Sequence, residues 1–214
     1  MNALVMYDHQ TRSLWSQFLR KGVSGVLTGT ELEVVPVTQT TWEAWLELHP
    51  DTIMLDKQGL YRHDNYTSYY LSGRTGVLGE SKTDARLGRK ELVVGVEIDG
   101  RRKAYPFNAL RRAPVVNDLV ADHARLVYFD DPTGTALVYD RTVDGRTLTF
   151  RLDGEPKGAL TKLVDDETGS RWTAFTGLAI SGQLKGKRLE RALSHLSFWF
   201  AWTDWNPDTE LYNG

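Results

Sequence analysis

The chain has 214 residues, 26 Lys and Arg against 28 Asp and Glu, a formal net charge of −2 and no cysteine. This near-neutral balance, without a basic stripe, argues against a nucleic-acid binder, and the lack of cysteine excludes disulfides, thiolate metal sites and thiol catalysis. No apolar run is long enough to span a bilayer, and the first residues lack the basic and then apolar pattern of a signal peptide.

The first quarter of the chain predicts short strands and one helix. Pro36 limits the strand predicted at 31–37 to a sheet edge, because proline cannot donate a hydrogen bond to a central ladder. Thr40 or Thr41 caps a short helix that carries Trp42 and Trp45 on one face. The four strands are predicted at residues 3–7, 13–18, 31–37 and 52–55.

Residues 57–91 form a long connector with few apolar residues to pack. Connections of this length inside a compact chain are usually functional or disordered. Aromatic residues argue against simple disorder, and the connector contains Tyr61, Tyr66, Tyr69 and Tyr70.

Two hairpins are predicted in the second half, because Asp99-Gly100 and Asp144-Gly145 each lie between alternating strands and suit a tight turn with positive φ. Their strands cover 92–98 with 101–107, and 136–143 with 146–152; further elements are a helix at 107–112, a strand at 125–129 and a helix at 197–205. The fold class is therefore α+β and β-rich, with hairpin and meander strands, short helices and internally duplicated units.

The duplication is visible when the chain is compared with itself at an offset of 157 residues. Residues 7–52 then align with 164–209 without a gap, and 17 of the 46 positions are identical. The identical pairs include Trp15/Trp172, Trp42/Trp199 and Trp45/Trp202. This period is far longer than that of a solenoid repeat, so the pattern indicates a domain duplication.

Several motifs together resemble a large bacterial and archaeal family of unknown function, over nearly the whole chain. They are Leu4-Val-Met-Tyr-Asp8, Ser13-Leu-Trp15, His49-Pro-Asp-Thr52, Lys103-Ala-Tyr-Pro-Phe-Asn-Ala-Leu110, Val115-Val-Asn-Asp118, Gly134-Thr-Ala136, Tyr139-Asp-Arg-Thr-Val-Asp-Gly-Arg-Thr-Leu-Thr-Phe150 and Ser197-Phe-Trp-Phe-Ala-Trp202. The resemblance implies two related modules and export, often as a lipoprotein, but it implies no reaction. The absence of a visible signal peptide is at odds with export, so the compartment stays open.

The chain departs from the family pattern at a cysteine motif and at its start. Where many members have Cys-Pro-x-Cys-Gly-Thr-Ala, this chain has Asp130-Asp-Pro-Thr-Gly-Thr-Ala136, so no cysteine-based role remains. The predicted organisation is a second half of a truncated first module at 1–56, the Tyr-rich connector at 57–91 and a complete second module at 92–214. The half-module is expected to pack on the second module or to form a homodimer, because exposed strand edges favour pairing.

Candidate site residues come from the connector and from polar groups near strand ends. His63 and Asp64 could act as a base or hold a metal, with Arg62 holding an anion. Asp118 and Asp131 are the other candidate catalytic carboxylates, and clustered Asp would suit a divalent cation such as calcium. The expected substrate-binding residues are Arg62, Tyr66, Tyr105, Asn117 and Tyr139. For each group the alternative is structural: a polar surface loop for the connector, and turn formation by Asn and Asp for the rest.

Two functions follow from these candidates. The first is a hydrolase, with or without a metal, for a small ester, phosphoester or glycoside. The second is a module without catalysis that holds a glycan or another small molecule on exposed Tyr and Trp. Catalysis needs His or carboxylates that converge in one cleft, whereas binding needs only a groove with exposed rings and a few donors. The Trp-rich helices fit either a sugar platform or a buried core face.

Overall fold

A computed structural model describes residues 5–17, 19–56, 58–60, 66–76 and 79–214. The first part of the chain forms a three-stranded antiparallel sheet in the order β1-β2-β3. A helix and, within the connector, a second short helix follow. These elements are β1 (Val5–Tyr7), β2 (Leu14–Ser16), β3 (Lys21–Ser24), α1 (Trp42–Leu48) and α2 (Thr67–Leu71).

The next sheet brings the middle and the end of the chain together. Strands β4 (Leu92–Ile98) and β5 (Arg101–Pro106) form the predicted hairpin, and Asp99 and Gly100 have φ values of 48° and 76°. Strand β15 (His195–Phe198) pairs antiparallel with β4, and β16 (Glu210–Leu211) pairs parallel with β5. The predicted helix at 107–112 is confirmed as α3 (Phe107–Arg112).

Two antiparallel sheets and the second predicted hairpin make up the remainder. The meander β6-β7-β8 comprises β6 (Val115–Val120), β7 (His123–Asp130) and β8 (Thr135–Asp140). The short hairpin of β9 (Thr142–Val143) and β10 (Arg146–Thr147) closes at the predicted turn, Asp144-Gly145. The predicted pairing of 136–143 with 146–152 is wrong beyond this turn, because residues 135–140 pair with β7 and residues 150–152 pair with residues 163–165. The last sheet runs in the order β11 (Phe150–Leu152), β12 (Lys162–Asp165), β13 (Arg171–Thr173), β14 (Ala179–Ser181), with a 3₁₀ helix at Gly158–Leu160 and helix α4 (Trp199–Trp205).

The core joins these layers into a β-rich α+β fold with short helices. One cluster packs Trp172 and Phe150 against Tyr128 and Tyr139. The same cluster takes in Ala44 from α1, so the first segment of the chain packs on the second half. A smaller cluster under α4 holds Trp199 and Trp202 against Val93 and Ala104, and it buries the helix face that carries the tryptophans.

Positions 157 residues apart make matching contacts. The indole of Trp15 donates to Asp8 Oδ2 at 2.9 Å, and the indole of Trp172 donates to Asp165 Oδ2 at 2.8 Å. At the other end of the segments, the indole of Trp45 donates to the hydroxyl of Thr52, and the indole of Trp202 donates to the hydroxyl of Thr209, each at 2.9 Å. The two segments therefore share these side-chain hydrogen bonds near both of their ends.

Two predicted strands are absent from the described residues. Residues 31–37 form only a single bridge, between Lys21 and Glu31, and residues 52–55 have no regular structure. Val35 and Ile53 are exposed, because no neighbouring strand lies beside them. Apolar, β-branched residues alone do not make a strand when no partner supplies the ladder hydrogen bonds.

Across the described ranges, no helix has both the length and the apolar character needed to cross a membrane.

Candidate functional site

Two neighbouring clefts meet at one histidine. The larger, of about 440 Å³, lies between the first segment and strand β15, and its polar lining comprises Gln17, Gln39, Ser194, His195 and Ser197. The smaller, of about 310 Å³, is lined by Leu19, Arg20, Glu97, Arg102, His195, Trp202, Trp205 and Asn206. His195 is the residue that the two linings share, which places its imidazole at the junction of the clefts.

Strand pairing and a glycine fix the position of His195. The residue opens β15 and lies opposite Gly95 of β4. A Cβ atom at position 95 would overlap the ring of Trp202, so glycine allows that ring to lie against the strand. The ring centroids of Trp202 and His195 are 6.4 Å apart, so the indole forms part of the surroundings of the imidazole.

The surroundings of His195 favour its neutral form. Burial lowers its pKa from the ordinary value, the positive charge of Arg20 lowers it further, and Glu97 opposes both effects. A half-buried imidazole loses solvation of its charged form, which is the usual reason for such a shift. At neutral pH, therefore, His195 offers one hydrogen-bond donor and one acceptor without a charge.

The wall of the smaller cleft carries an excess of positive charge. The guanidinium groups of Arg20 and Arg102 lie 3.8 Å and 3.2 Å from separate oxygens of Glu97. Two cations thus share one carboxylate. The Nε atom of Arg102 is buried and has no hydrogen-bond partner within the described parts of the chain.

The predicted residues Tyr105 and Asp118 do come together, but as a closed internal cluster. Tyr105 donates its hydroxyl to Asp118 Oδ2 at 2.8 Å, and Lys103 Nζ lies 2.6 Å from the same oxygen. Burial would raise the pKa of Asp118, but the hydrogen bonds from Lys103 and Tyr105 lower it overall. Burial of the ring and the charge of Asp118 raise the pKa of the Tyr105 hydroxyl. The carboxylate therefore stays ionised and engaged in this cluster.

Asn117 and Tyr139, both expected to contact substrate, make structural contacts instead. The amide of Asn117 donates to the carbonyl oxygen of Phe150 and accepts from its backbone N–H, each at 2.8 Å, which joins β6 to β11. Tyr139 is fully buried, and its hydroxyl donates to the carbonyl oxygens of Ala174 and Phe175. Its side chain thus has no surface for a substrate.

Asp131 lies on the surface and pairs with Arg111, with 2.7 Å between Nε and Oδ1. Asp118 is opposite Arg125 in the register of β6 and β7, whereas Asp131 follows the end of β7 at Asp130. Arg125 and Asp130 are five residues apart on this extended strand, which corresponds to about 17 Å at a rise of about 3.3 Å per residue. The two carboxylates therefore do not meet in one cleft.

The connector candidates divide into two groups. His63, Asp64 and Arg62 lie outside the described residues. Tyr66 is exposed at the start of α2. Within the described ranges, no three His, Asp or Glu side chains are grouped so that they could hold a metal ion.

Sequence reasoning missed the residues around His195, because they come from separate parts of the chain. Arg20 follows β2, Glu97 and Arg102 belong to the first hairpin, and His195 lies almost a hundred residues later. None of them forms a recognised short motif. The pairing of β15 with β4 places His195 beside the first hairpin, and Arg20 reaches this place through its ion pair with Glu97.

The fold and the clefts define a β-rich α+β protein with a polar, mainly cationic surface pocket. The chain belongs to the family described as protein of unknown function (DUF3179), whose model matches residues 1–209. Comparison with curated proteins gave no match, and comparison with solved structures gave none either.

Proposed function

We propose that this protein binds a small molecule that carries a carboxylate or phosphate group, in the paired clefts at His195. The observation that carries the proposal is the sharing of Glu97 by Arg20 and Arg102 on the wall of the smaller cleft. A guanidinium group has five N–H donors in a planar fork that suits carboxylate and phosphate oxygens. One carboxylate leaves several of the ten donors of this pair available to a ligand.

The other lining residues suit the uncharged part of such a ligand. Trp205 lines the smaller cleft and can cover the apolar face of a ring. On the other side, Gln17, Gln39 and Ser194 offer neutral hydrogen-bonding groups. A sugar acid or a phosphorylated small molecule has this combination of an anionic group, hydroxyl groups and an apolar face.

Calorimetric titration with glucuronate, citrate and phosphate tests the proposal, with glucose as the uncharged counterpart of glucuronate. We expect glucuronate to bind and glucose to bind at least about tenfold more weakly, because hydrogen bonds to a charged group contribute about 1.5–3 kcal/mol. Arg102→Ala should weaken binding about ten- to a hundredfold. The matched control is Arg101→Ala, which removes an exposed arginine that pairs with Glu210 outside the clefts. Equal binding of glucose and glucuronate, or full affinity in Arg102→Ala, would contradict the proposal.

The hydrolase predicted from the sequence is retained as a second candidate, supported by one observation. A neutral imidazole can accept a proton, and His195 lines the larger cleft together with Ser194 and Ser197. The test is turnover of chromogenic esters, phosphoesters and glycosides, with and without chelator, by the wild type, His195→Gln and His63→Ala. Loss of turnover in one variant assigns the site, and absence of turnover in the folded wild type removes the hydrolase from consideration.

Three expectations about organisation and partners also remain proposals. The recurring contacts of Asp8 with Trp15 and of Asp165 with Trp172 support a common origin of the two matching segments. A glycan ligand is supported by Trp42, which is exposed beside a groove lined by uncharged side chains. A homodimer through residues 1–56 is addressed by the molar-mass measurement proposed below.

A further inference from the structure

The two matching segments differ in what covers them. Four apolar positions are buried in the second segment and exposed in the first, although both segments carry apolar residues there. The exposed fractions are 43% for Met6 against 1% for Leu163, 51% for Tyr7 against 8% for Val164, 39% for Leu32 against 2% for Leu189, and 46% for Trp42 against 0% for Trp199. These four apolar positions are therefore covered by protein in one copy of the pattern and open in the other.

The second segment shows which element covers the edge of its strand β12. Strand β11 pairs antiparallel with β12, with Leu152 opposite Leu163 and Phe150 opposite Asp165. The ring of Phe150 lies edge-on to Trp172, with 5.6 Å between centroids and 79° between planes. Phe150 and Leu152, an aromatic and an aliphatic residue two positions apart, thus cover this edge.

The first segment has the same edge without the strand. Strand β1 corresponds to β12 and pairs with β2 on one side. On its other side no described residue forms a strand. The indole of Trp15 donates a hydrogen bond to Asp8, just as the indole of Trp172 donates one to Asp165. Trp15 is nevertheless only half-buried. Unpaired edges with exposed apolar side chains are the usual sites of strand addition.

We infer that the outer edge of β1 is a docking site for an antiparallel β-strand of a partner polypeptide, in which an aromatic and an aliphatic side chain flank an acidic one. The aromatic residue lies opposite Asp8 and packs on Trp15, and the aliphatic residue lies opposite Met6.

Charge determines the middle residue of the partner strand. In the second segment the middle residue, Arg151, pairs with Asp166 at 2.8 Å. The position that corresponds to Asp166 in the first segment is His9, which is exposed. A basic residue gains no ion pair there. An acidic residue would lie opposite Tyr7, whose ring has the Arg12 guanidinium 5.2 Å from its centroid, and would be complementary to that charge.

A second copy of this chain is a poorer occupant than a separate polypeptide. In a second copy, β11 is the strand that has an aromatic and an aliphatic residue two positions apart. This strand already pairs with β12, and its Phe150 is buried within the core of its own chain. A second copy could supply it only by opening that core.

Fluorescence anisotropy with labelled six-residue peptides tests the inference on the intact protein. The probes are Leu-Thr-Phe-Arg-Leu-Asp, the sequence of residues 148–153, and the same peptide with Glu in place of Arg. A peptide with Ser in place of both Phe and the second Leu is the control. We expect saturable binding of both probes, with tighter binding of the Glu peptide. Binding of the Ser control should be at least about tenfold weaker, and tenfold corresponds to about 1.4 kcal/mol.

The protein variants separate β1 from other surfaces. Met6→Asp should weaken binding of the probes at least about tenfold, because it places a carboxylate opposite the aliphatic residue of the peptide. Leu160→Asp is the matched control, because Leu160 is 52% exposed in the second half of the chain, and it should bind as the wild type does. Undiminished binding to Met6→Asp would overturn the inference, since the peptide would then be exchanging with β11. Absence of binding to the wild type would also overturn the inference. Light scattering on the wild type and on Met6→Asp would then show whether the edge of β1 is covered in a dimer, because Met6→Asp should dissociate such a dimer.

Discussion

At the scale of single residues, His195 occupies the position where the two clefts meet. Its backbone is fixed by pairing with Gly95, and the indole of Trp202 lies beside its ring. Arg20 and Glu97 act on its charge with opposite signs, and burial decides the outcome. The imidazole is therefore a group whose protonation is coupled to folding.

This coupling predicts a pH dependence of stability. The folded-state pKa of His195 is lowered, so on acidification the unfolded chain takes up this proton first, near the ordinary histidine pKa of about 6.5. The unfolded state then binds more protons, and stability contributed by His195 is present above this pH and is lost as the pH falls. Urea unfolding at pH 7.5 and at pH 5.5 should show a larger loss of unfolding free energy for the wild type than for His195→Gln. His9→Gln, at an exposed histidine, should keep the wild-type response, and equal losses in all three proteins would refute this account.

The residues of this site could not be predicted from the sequence, for a physical reason. His195 comes close to Glu97 because a late strand adds to an earlier hairpin, and Arg20 comes close to Glu97 through a long-range ion pair. Neither contact leaves a local pattern in the sequence. The sequence predicts Tyr105 and Asp118 as site residues because they are polar and close to strand ends. Their contact with each other and with Lys103 shows that such groups can satisfy one another inside the fold.

At the scale of elements, local turn chemistry was predictable and strand partners were not. Both Asp-Gly turns form hairpins, because positive φ at two successive residues is a property of the turn itself. The helix cap at Thr41 is likewise local, and its side chain accepts from the N–H of Ala44. Residues 31–37 and 52–55 resemble strands in composition, but they have no partner strand within the described ranges, so the sequence pattern alone was insufficient.

The two matching turns after β1 and β12 allow a comparison of the same contact in different surroundings. Asp165 is fully buried and accepts from the indole of Trp172, whereas Asp8 is solvated and makes the same bond to Trp15. A hydrogen bond from the Thr11 backbone N–H, followed by one from Trp15, lowers the pKa of Asp8 to about 2. The two hydrogen bonds thus have the same geometry, but the free-energy cost of removing the buried one is larger.

Asp165→Ala should therefore destabilise the protein more than Asp8→Ala. Removal of Asp165 leaves the N–H of a buried Trp172 without its acceptor, which costs about 1–3 kcal/mol. Water can replace the carboxylate at Asp8. Urea unfolding followed by circular dichroism measures both variants, and Asp166→Ala, at an exposed ion pair with Arg151, controls for loss of charge. Equal destabilisation by Asp165→Ala and Asp8→Ala would show that burial does not decide the contribution.

At the scale of the whole molecule, the first segment is attached to the second half through α1 and the residues before it. Ala44 enters the main core cluster, and Thr40 accepts a hydrogen bond from Thr135 at 2.9 Å. Arg191 donates to the hydroxyl of Thr38 at 3.0 Å. The larger cleft at His195 has Gln17 and Gln39 on one side, so its shape depends on this attachment.

Ala44→Arg should release the first segment, because a guanidinium cannot be accommodated in a core of apolar side chains without losing its hydration. Limited trypsin digestion should then cut within residues 5–56 well before it cuts the β-sheets, and mass spectrometry of the fragments locates the cuts. The matched control is Glu43→Arg, which adds the same cleavage site one residue earlier on the exposed face of α1. If both variants are cut at the wild-type rate, Ala44 does not anchor the segment. If only Ala44→Arg is cut faster and it also loses binding at His195, the first segment forms one wall of the ligand site.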